Sequence, residues 1–211
     1  MIFTGLRAAL LAVAISTVGG TAGAAEPGPS PPKVVSSNTP DLPPDLRAKG
    51  HQGEVRLTGI VKADGSLADV QVRTSSGSAE LDAFAVKAFE RWQFSPARDA
   101  DGDPIDQRVS TTLEFWADEL MTLGEKTCAE FVADIDWRRA TFPGQPDTGM
   151  RLYNLVGGMF LMGGPNRAFP TQASFDRAHK ALPLAWPRTY EACRLNPKDR
   201  FLAVLIREVR R

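Results

Sequence analysis

The residues able to do chemistry in this 211-residue chain are few: two histidines, two cysteines and one alternating run of aspartates. His51 lies within a glycine-spaced stretch, and His179 stands beside Lys180 on a polar helical face, where it reads as a solvated residue. No Gly-x-Ser-x-Gly, His-Glu-x-x-His or phosphate-cradling glycine loop occurs. The run Asp99-Ala100-Asp101-Gly102-Asp103 invites comparison with a calcium loop, which needs glycine at its sixth position and a bidentate glutamate at its twelfth. Counting from Asp99, those positions hold Pro104 and Ser110. The run therefore reads as an acidic turn, and no metal or other cofactor is expected. Nor is catalysis.

The cysteines point to a structural bond. Met1 to Ala24 has the layout of a secretory signal, with Arg7 in the charged region and an apolar run from Ala8 to Val18. Ala22-Gly23-Ala24 follows as a small-x-small cleavage site, which makes Ala25 the mature N-terminus. A membrane span needs about 20 apolar residues. Gly19-Gly20-Thr21 interrupts this run early, so cleavage is favoured over an uncleaved membrane anchor. An even cysteine count in an exported chain suggests a disulfide, here Cys128 with Cys193; two buried, unpaired thiols are the alternative. In the chain-entropy account, closing a loop of that length contributes about 4 kcal/mol.

The elements that must position any site are clearest between Gly53 and Phe115. Leu81, Phe84, Ala85, Ala88, Phe89 and Trp92 fall at spacings of three and four, which predicts a helix from Ala79 to Gln93 with one apolar stripe. Ser78 is its expected N-cap, Glu80 and Asp82 suit the first turn, and Pro96 closes the far end. Before it, Val55, Leu57 and Val61 alternate with polar residues, as do Ala68, Val70 and Val72 after the Asp64-Gly65 turn. Beyond it, Val109, Thr111, Leu113 and Phe115 alternate again. Strand, strand, helix, strand predicts a small antiparallel three-stranded sheet with one helix on its apolar face.

These residues resemble a known family. Arg47-Ala48-Lys49-Gly50-His51-Gln52-Gly53, Val55 to Asp64-Gly65 and Ser75-Ser76-Gly77 are similar to the C-terminal domain of TonB-type energy transducers. So are Leu81-Asp82, Ala85, Ala88, Trp92-Gln93-Phe94-Ser95-Pro96-Ala97 and Gly102-Asp103-Pro104, so that order and spacing hold from about Asp41 to Trp116. The family usually has Tyr-Pro ahead of the arginine, where this chain has Leu42-Pro43. The resemblance implies the Gram-negative cell envelope, transmembrane transport and a protein partner. In such domains a sheet edge pairs with an extended receptor peptide. Here that edge is the strand Gln107, Val109, Ser110, Thr111, Thr112, Leu113, Phe115.

Two features depart from an energised transducer. Glu26 to Pro44 holds seven prolines among nineteen residues, a disordered or polyproline-like linker that reaches about 60 Å at most. TonB-type transducers resemble this layout but carry a much longer Pro-rich segment. The N-terminal apolar run also lacks the histidine by which such transducers couple to a motor complex.

After Phe115 the periodicity becomes helical. Cys128, Phe131, Val132 and Ile135 form one stripe, ended by Phe142-Pro143-Gly144. An apolar stretch follows from Met150 to Met162, with Gly157-Gly158 suggesting a close helix crossing and Gly163-Gly164-Pro165 ending it. Further helices are expected over Gln172–Leu182 and Pro187–Leu195. The last begins with Asn196 as N-cap and Pro197 at the first helical position, and buries Phe201, Leu202, Leu205, Ile206 and Val209. Met150, Met159 and Met162 read as core filler, or else as an adaptable groove. Segments of this region are loosely similar to small two-cysteine helical proteins of the periplasm.

The expected architecture is thus α+β: signal peptide 1–24, Pro-rich linker 25–44, TonB C-terminal-like domain 45–116 and an α-helical domain 117–211 with the Cys128–Cys193 disulfide. Lysine plus arginine equals aspartate plus glutamate over the chain, so no basic field points to nucleic acid. Asp41–Trp116 carries nine basic and thirteen acidic residues, and 117–211 fourteen and eleven, a weak electrostatic argument for docking of the halves. The leading functional expectation is a periplasmic module that adds an envelope or receptor peptide to its sheet edge. The alternatives are a chaperone or immunity-type inhibitor acting through the helical half, and homodimers formed through the same edge. Membrane attachment follows only if the N-terminal segment stays uncleaved.

Overall fold

The computed structural model describes residues 28–162 and 168–211. The signal-peptide reading of 1–24 and the glycine-proline stop at 163–165 lie outside the described residues. In chain order the elements are β1 (Lys33–Ser36), α1 (Pro44–Ala48), β2 (Gly53–Val61), β3 (Leu67–Thr74), α2 (Ala79–Phe89), β4 (Gln93–Ser95), β5 (Ala97–Arg98), β6 (Pro104–Ile105), β7 (Gln107–Phe115), α3 (Cys128–Thr141), α4 (Arg151–Leu161), α5 (Gln172–Leu195) and α6 (Phe201–Val209). The class is α+β, as the patterning predicts.

The main sheet has the order β3-β2-β7, antiparallel throughout. Val55, Leu57, Leu113 and Phe115 point to α2, where they bury Leu81, Ala85, Ala88 and Phe89. Each large side chain in that layer contributes about 1.5–3 kcal/mol through burial. Ser78 caps α2 as expected, its side chain accepting from the Leu81 N–H. The helix stops at Phe89, short of the expected Gln93. The chain is diverted because Gln93–Ser95 pairs as β4 with β1, and Trp92 and Phe94 fold back edge-on and tilted around Phe89.

That pairing corrects the linker expectation for residues 28–44. Ser30 and Arg98 exchange backbone hydrogen bonds at 3.0 and 2.9 Å, β1 lies along β4, and Leu42 is buried in the core beside Leu46. Backbone pairing to a neighbouring strand orders a segment whose own side chains, exposed along β1, could not.

The helical half has a separate core. Phe131 stacks on Phe201 at 4.3 Å and meets Trp186 edge-on at 5.2 Å, with Tyr153 against the far side of Trp186 at 4.9 Å. The Cys128–Cys193 disulfide ties the first turn of α3 to the end of α5. Three expectations change here. Gln172–Leu182 and Pro187–Leu195 are one continuous helix, α5, that runs through Pro183 and Pro187. An internal proline costs about 3 kcal/mol, but Ala178, Leu182, Ala185, Trp186, Thr189 and Cys193 form one buried stripe spanning both. Their combined burial outweighs that cost.

The final helix starts at Phe201 rather than after Asn196. The carbonyls of Pro197 and Asp199 accept from the N–H groups of Ala129 and Cys128 at 2.9 and 2.8 Å. The 197–200 segment therefore caps α3 instead of coiling into α6, while Asn196 donates to the Ala192 carbonyl. Finally, a Cβ at Gly157 or Gly158 would meet nothing within 4 Å, so the expected close helix crossing is not there. Met150 and Met159 are core residues, and Met162 is exposed.

Candidate peptide-binding edge and the junction of the two halves

All seven residues of the candidate site, Gln107, Val109, Ser110, Thr111, Thr112, Leu113 and Phe115, lie on β7, an outer strand of the main sheet. Its inner side pairs with β2 without interruption, from Gly53 opposite Phe115 to Val61 opposite Gln107. On its outer side no backbone hydrogen bond is made to any described residue. Leu113 and Phe115 anchor the strand in the core; Val109 and Thr111 are half-buried, and the intervening side chains are mostly exposed.

The opposite edge, β3, is built differently. Its register against β2 slips twice, and Asp69 sits there at a positive φ of 52°. A bulged, twisted edge discourages pairing with another chain. The straight β7 edge carries no such device.

His51 and Ser78 are brought within 2.8 Å, a pairing the sequence did not suggest. It is a structural contact. Ser78 is buried and its oxygen accepts from Leu81 as the α2 cap, while His51 packs against Trp137 at 5.8 Å. Asp99 accepts from the N–H groups of Asp101 and Asp103, so the acidic run is a self-bonded turn between β5 and β6. No cluster of three or more metal-ligating side chains occurs among the described residues.

Residues 38–116 match the family described as Gram-negative bacterial TonB protein C-terminal. The Pseudomonas aeruginosa protein tonB2 is 41% identical over 76 residues, 36% of this chain and 28% of that protein. Xanthomonas campestris TonB is 36% identical over 78 residues, and Vibrio cholerae TonB 33% over 85, each covered for 34% of its length. Residues 38–116 are a TonB C-terminal domain. The chain spans about a third or less of the curated relatives it matches. The solution NMR structure of the Pseudomonas aeruginosa TonB CTD aligns at 24% identity with a TM-score of 0.37, covering 43% of this chain and 90% of that one.

The TonB C-terminal domain is held against the helical half at close range. Gly50, at φ +77°, lets the chain pass so near α3 that a Cβ would lie 2.4 Å from the Ala133 carbonyl oxygen. Gly77, at φ +90°, does the same against Thr141, at 2.3 Å. Only glycine combines that φ with that approach.

Beside this contact lies a buried charge cluster. Lys126 donates to Asp118 Oδ1 at 2.7 Å and lies 2.7 Å from Asp134 Oδ2, with all three side chains 5% exposed or less. The contact with Asp134 lies outside hydrogen-bond geometry, and that oxygen has no other partner. Burial raises the Asp134 carboxyl to about 7, helped by the charge of Asp118 and opposed by that of Lys126. Sequence reasoning missed this cluster. The available signal was an aspartate three residues after Phe131 on an apolar stripe.

Proposed function

We propose that the TonB C-terminal domain binds an extended peptide of an envelope partner by adding it as a fourth strand outside β7. The observation that carries this reading is the straight, unbulged outer edge of β7, whose backbone has no partner among the described residues while the β3 edge is bulged. Backbone hydrogen bonds would supply affinity, and the alternating side chains of β7 would supply selectivity. The TonB-named relatives favour an outer-membrane receptor segment as that peptide, and hence a part in TonB-dependent transport. The signal-like N-terminus supports a periplasmic location for the module. No helix of the described residues is long and apolar enough to cross a membrane.

The test is an NMR titration of the labelled protein with extended peptides from the N-terminal segments of outer-membrane receptors. Amides of Gln107–Phe115 are expected to shift and gain protection from exchange, while those of Leu67–Thr74 stay in place. Peptides that bind without moving the β7 amides, or a whole panel that binds nowhere, would overturn the proposal. Sedimentation in the same buffer separates peptide capture from self-pairing, since a strict monomer excludes homodimers through this edge.

A further inference from the structure

A cleft of about 220 Å³ opens where the butt end of the main sheet meets α3 and α4. Trp116, Trp137 and Phe142 form its aromatic walls, and two arginines, Arg138 and Arg151, reach it from the helical side. Neither guanidinium makes an ion pair with a described carboxylate. Arg151 lies over the Trp116 ring at 5.0 Å. Arg138 lies 5.6 Å from the centre of Phe142, and its Nη2 donates to Gln145 at 3.2 Å, but its buried Nε–H has no acceptor.

On the sheet side Gln52 is only 6% exposed, lines the cleft, and makes no side-chain hydrogen bond to a described residue. A buried guanidinium N–H is costly to leave unpaired. Gln52 and Arg138 both line the cleft, and neither meets a described carboxylate there.

We propose that this cleft binds a monocarboxylate carrying one aromatic ring. The Arg138 guanidinium takes the carboxylate oxygens, as its planar fork is shaped to do, and the Gln52 amide donates to the same group. The ring stacks among Trp116, Trp137 and Phe142. Size sets the class. An apolar cavity of about 150 Å³ holds benzene, and drug-sized ligands need roughly 300 Å³ or more. One ring with one carboxylate therefore fits. Glu54 at the rim would repel a second carboxylate. The ligand is either a free aromatic acid or the C-terminal residue of a peptide, and the site is independent of the β7 edge.

The test uses the full chain with its disulfide intact and follows the indole N–H signals of Trp92, Trp116, Trp137 and Trp186 by NMR. N-acetyl-L-phenylalanine is expected to shift Trp116 and Trp137 and leave Trp92 and Trp186 in place. Its amide, N-acetyl-L-phenylalaninamide, should bind about tenfold more weakly or worse, since one charge-assisted hydrogen bond is lost. A Gly-Ser-Gly-Ser-Phe peptide with a free C-terminus, compared with the acid, separates the two sources: tighter binding of the peptide assigns the site to chain ends, and equal or weaker binding to free acids. Arg138→Gln should weaken the acid about tenfold, and Phe142→Leu should weaken acid and amide alike. An unchanged Trp186 signal in each variant shows that the helical core is intact. Equal binding of acid and amide, or no movement of Trp116 and Trp137 at millimolar concentrations, would overturn the proposal.

Discussion

At the start of α3 every free backbone N–H is taken up. Pro197 and Asp199 accept from Ala129 and Cys128, and Thr127 and Glu130 form a reciprocal capping box. Along β7 of the TonB C-terminal domain the opposite holds, and an outer edge of nine residues has no backbone partner among the described residues. The helical half is closed by its own backbone and by a disulfide, whereas the sheet half ends in a template for another strand. A free edge is a hazard unless something uses it. The close approach of the two halves at Gly50 and Gly77, beside the Asp118–Lys126–Asp134 cluster within the helical half, holds that template in one place.

The largest test of this contrast disrupts the helical half beside the junction. Lys126→Met leaves Asp118 and Asp134 buried without their cation and should cost about 3–5 kcal/mol, seen as a lower denaturation midpoint. Next comes the staple. Replacing Cys128 and Cys193 with alanine should remove about 4 kcal/mol from the helical half. Hydrogen exchange then shows whether β2 and β7 keep their protection; if they lose it in parallel, the halves fold as one unit.

Gly77→Ala forces a Cβ into Thr141 at a left-handed φ, and should cost about 1–3 kcal/mol. A neutral result would mean that the two halves separate easily. Thr127→Ala removes the capping box for about 1 kcal/mol, measured by thermal unfolding.

Asp134 supplies the pH test. Its carboxyl is raised in the folded protein to about 7, so the native state holds a proton that the unfolded chain has already released above about pH 4. The contribution of this group to stability is therefore fully present at low pH and is lost as pH rises towards 7. Asp134→Asn should flatten that slope in denaturant titrations. An unchanged slope would mean that Lys126 keeps Asp134 ionised.

Much of the fold was legible because it depends on local periodicity. Alternation at Val55 and Leu57 and at Leu113 and Phe115 marks strands, the stripe from Leu81 to Phe89 marks α2, and Ser78 caps that helix from a side chain close in sequence. The failures share a different cause. Trp92 continues the helical spacing, yet the helix ends at Phe89 because a distant strand, β1, claims Gln93–Ser95. Pro183 and Pro187 read as breaks, yet a stripe buried against the rest of the bundle carries α5 through both.

By itself the sequence pointed to the family from about Asp41 to Trp116, to the candidate edge strand and to a bond between Cys128 and Cys193 over two free thiols, since each rests on residue type and spacing. Tertiary structure alone decided that the Pro-rich segment joins a strand, that Asp134 and Lys126 share a dry site, and that Arg138 meets Gln52 across a cleft. Those juxtapositions join residues far apart in the chain. Their energies come from burial and from lost hydration, quantities that no single stretch of sequence contains.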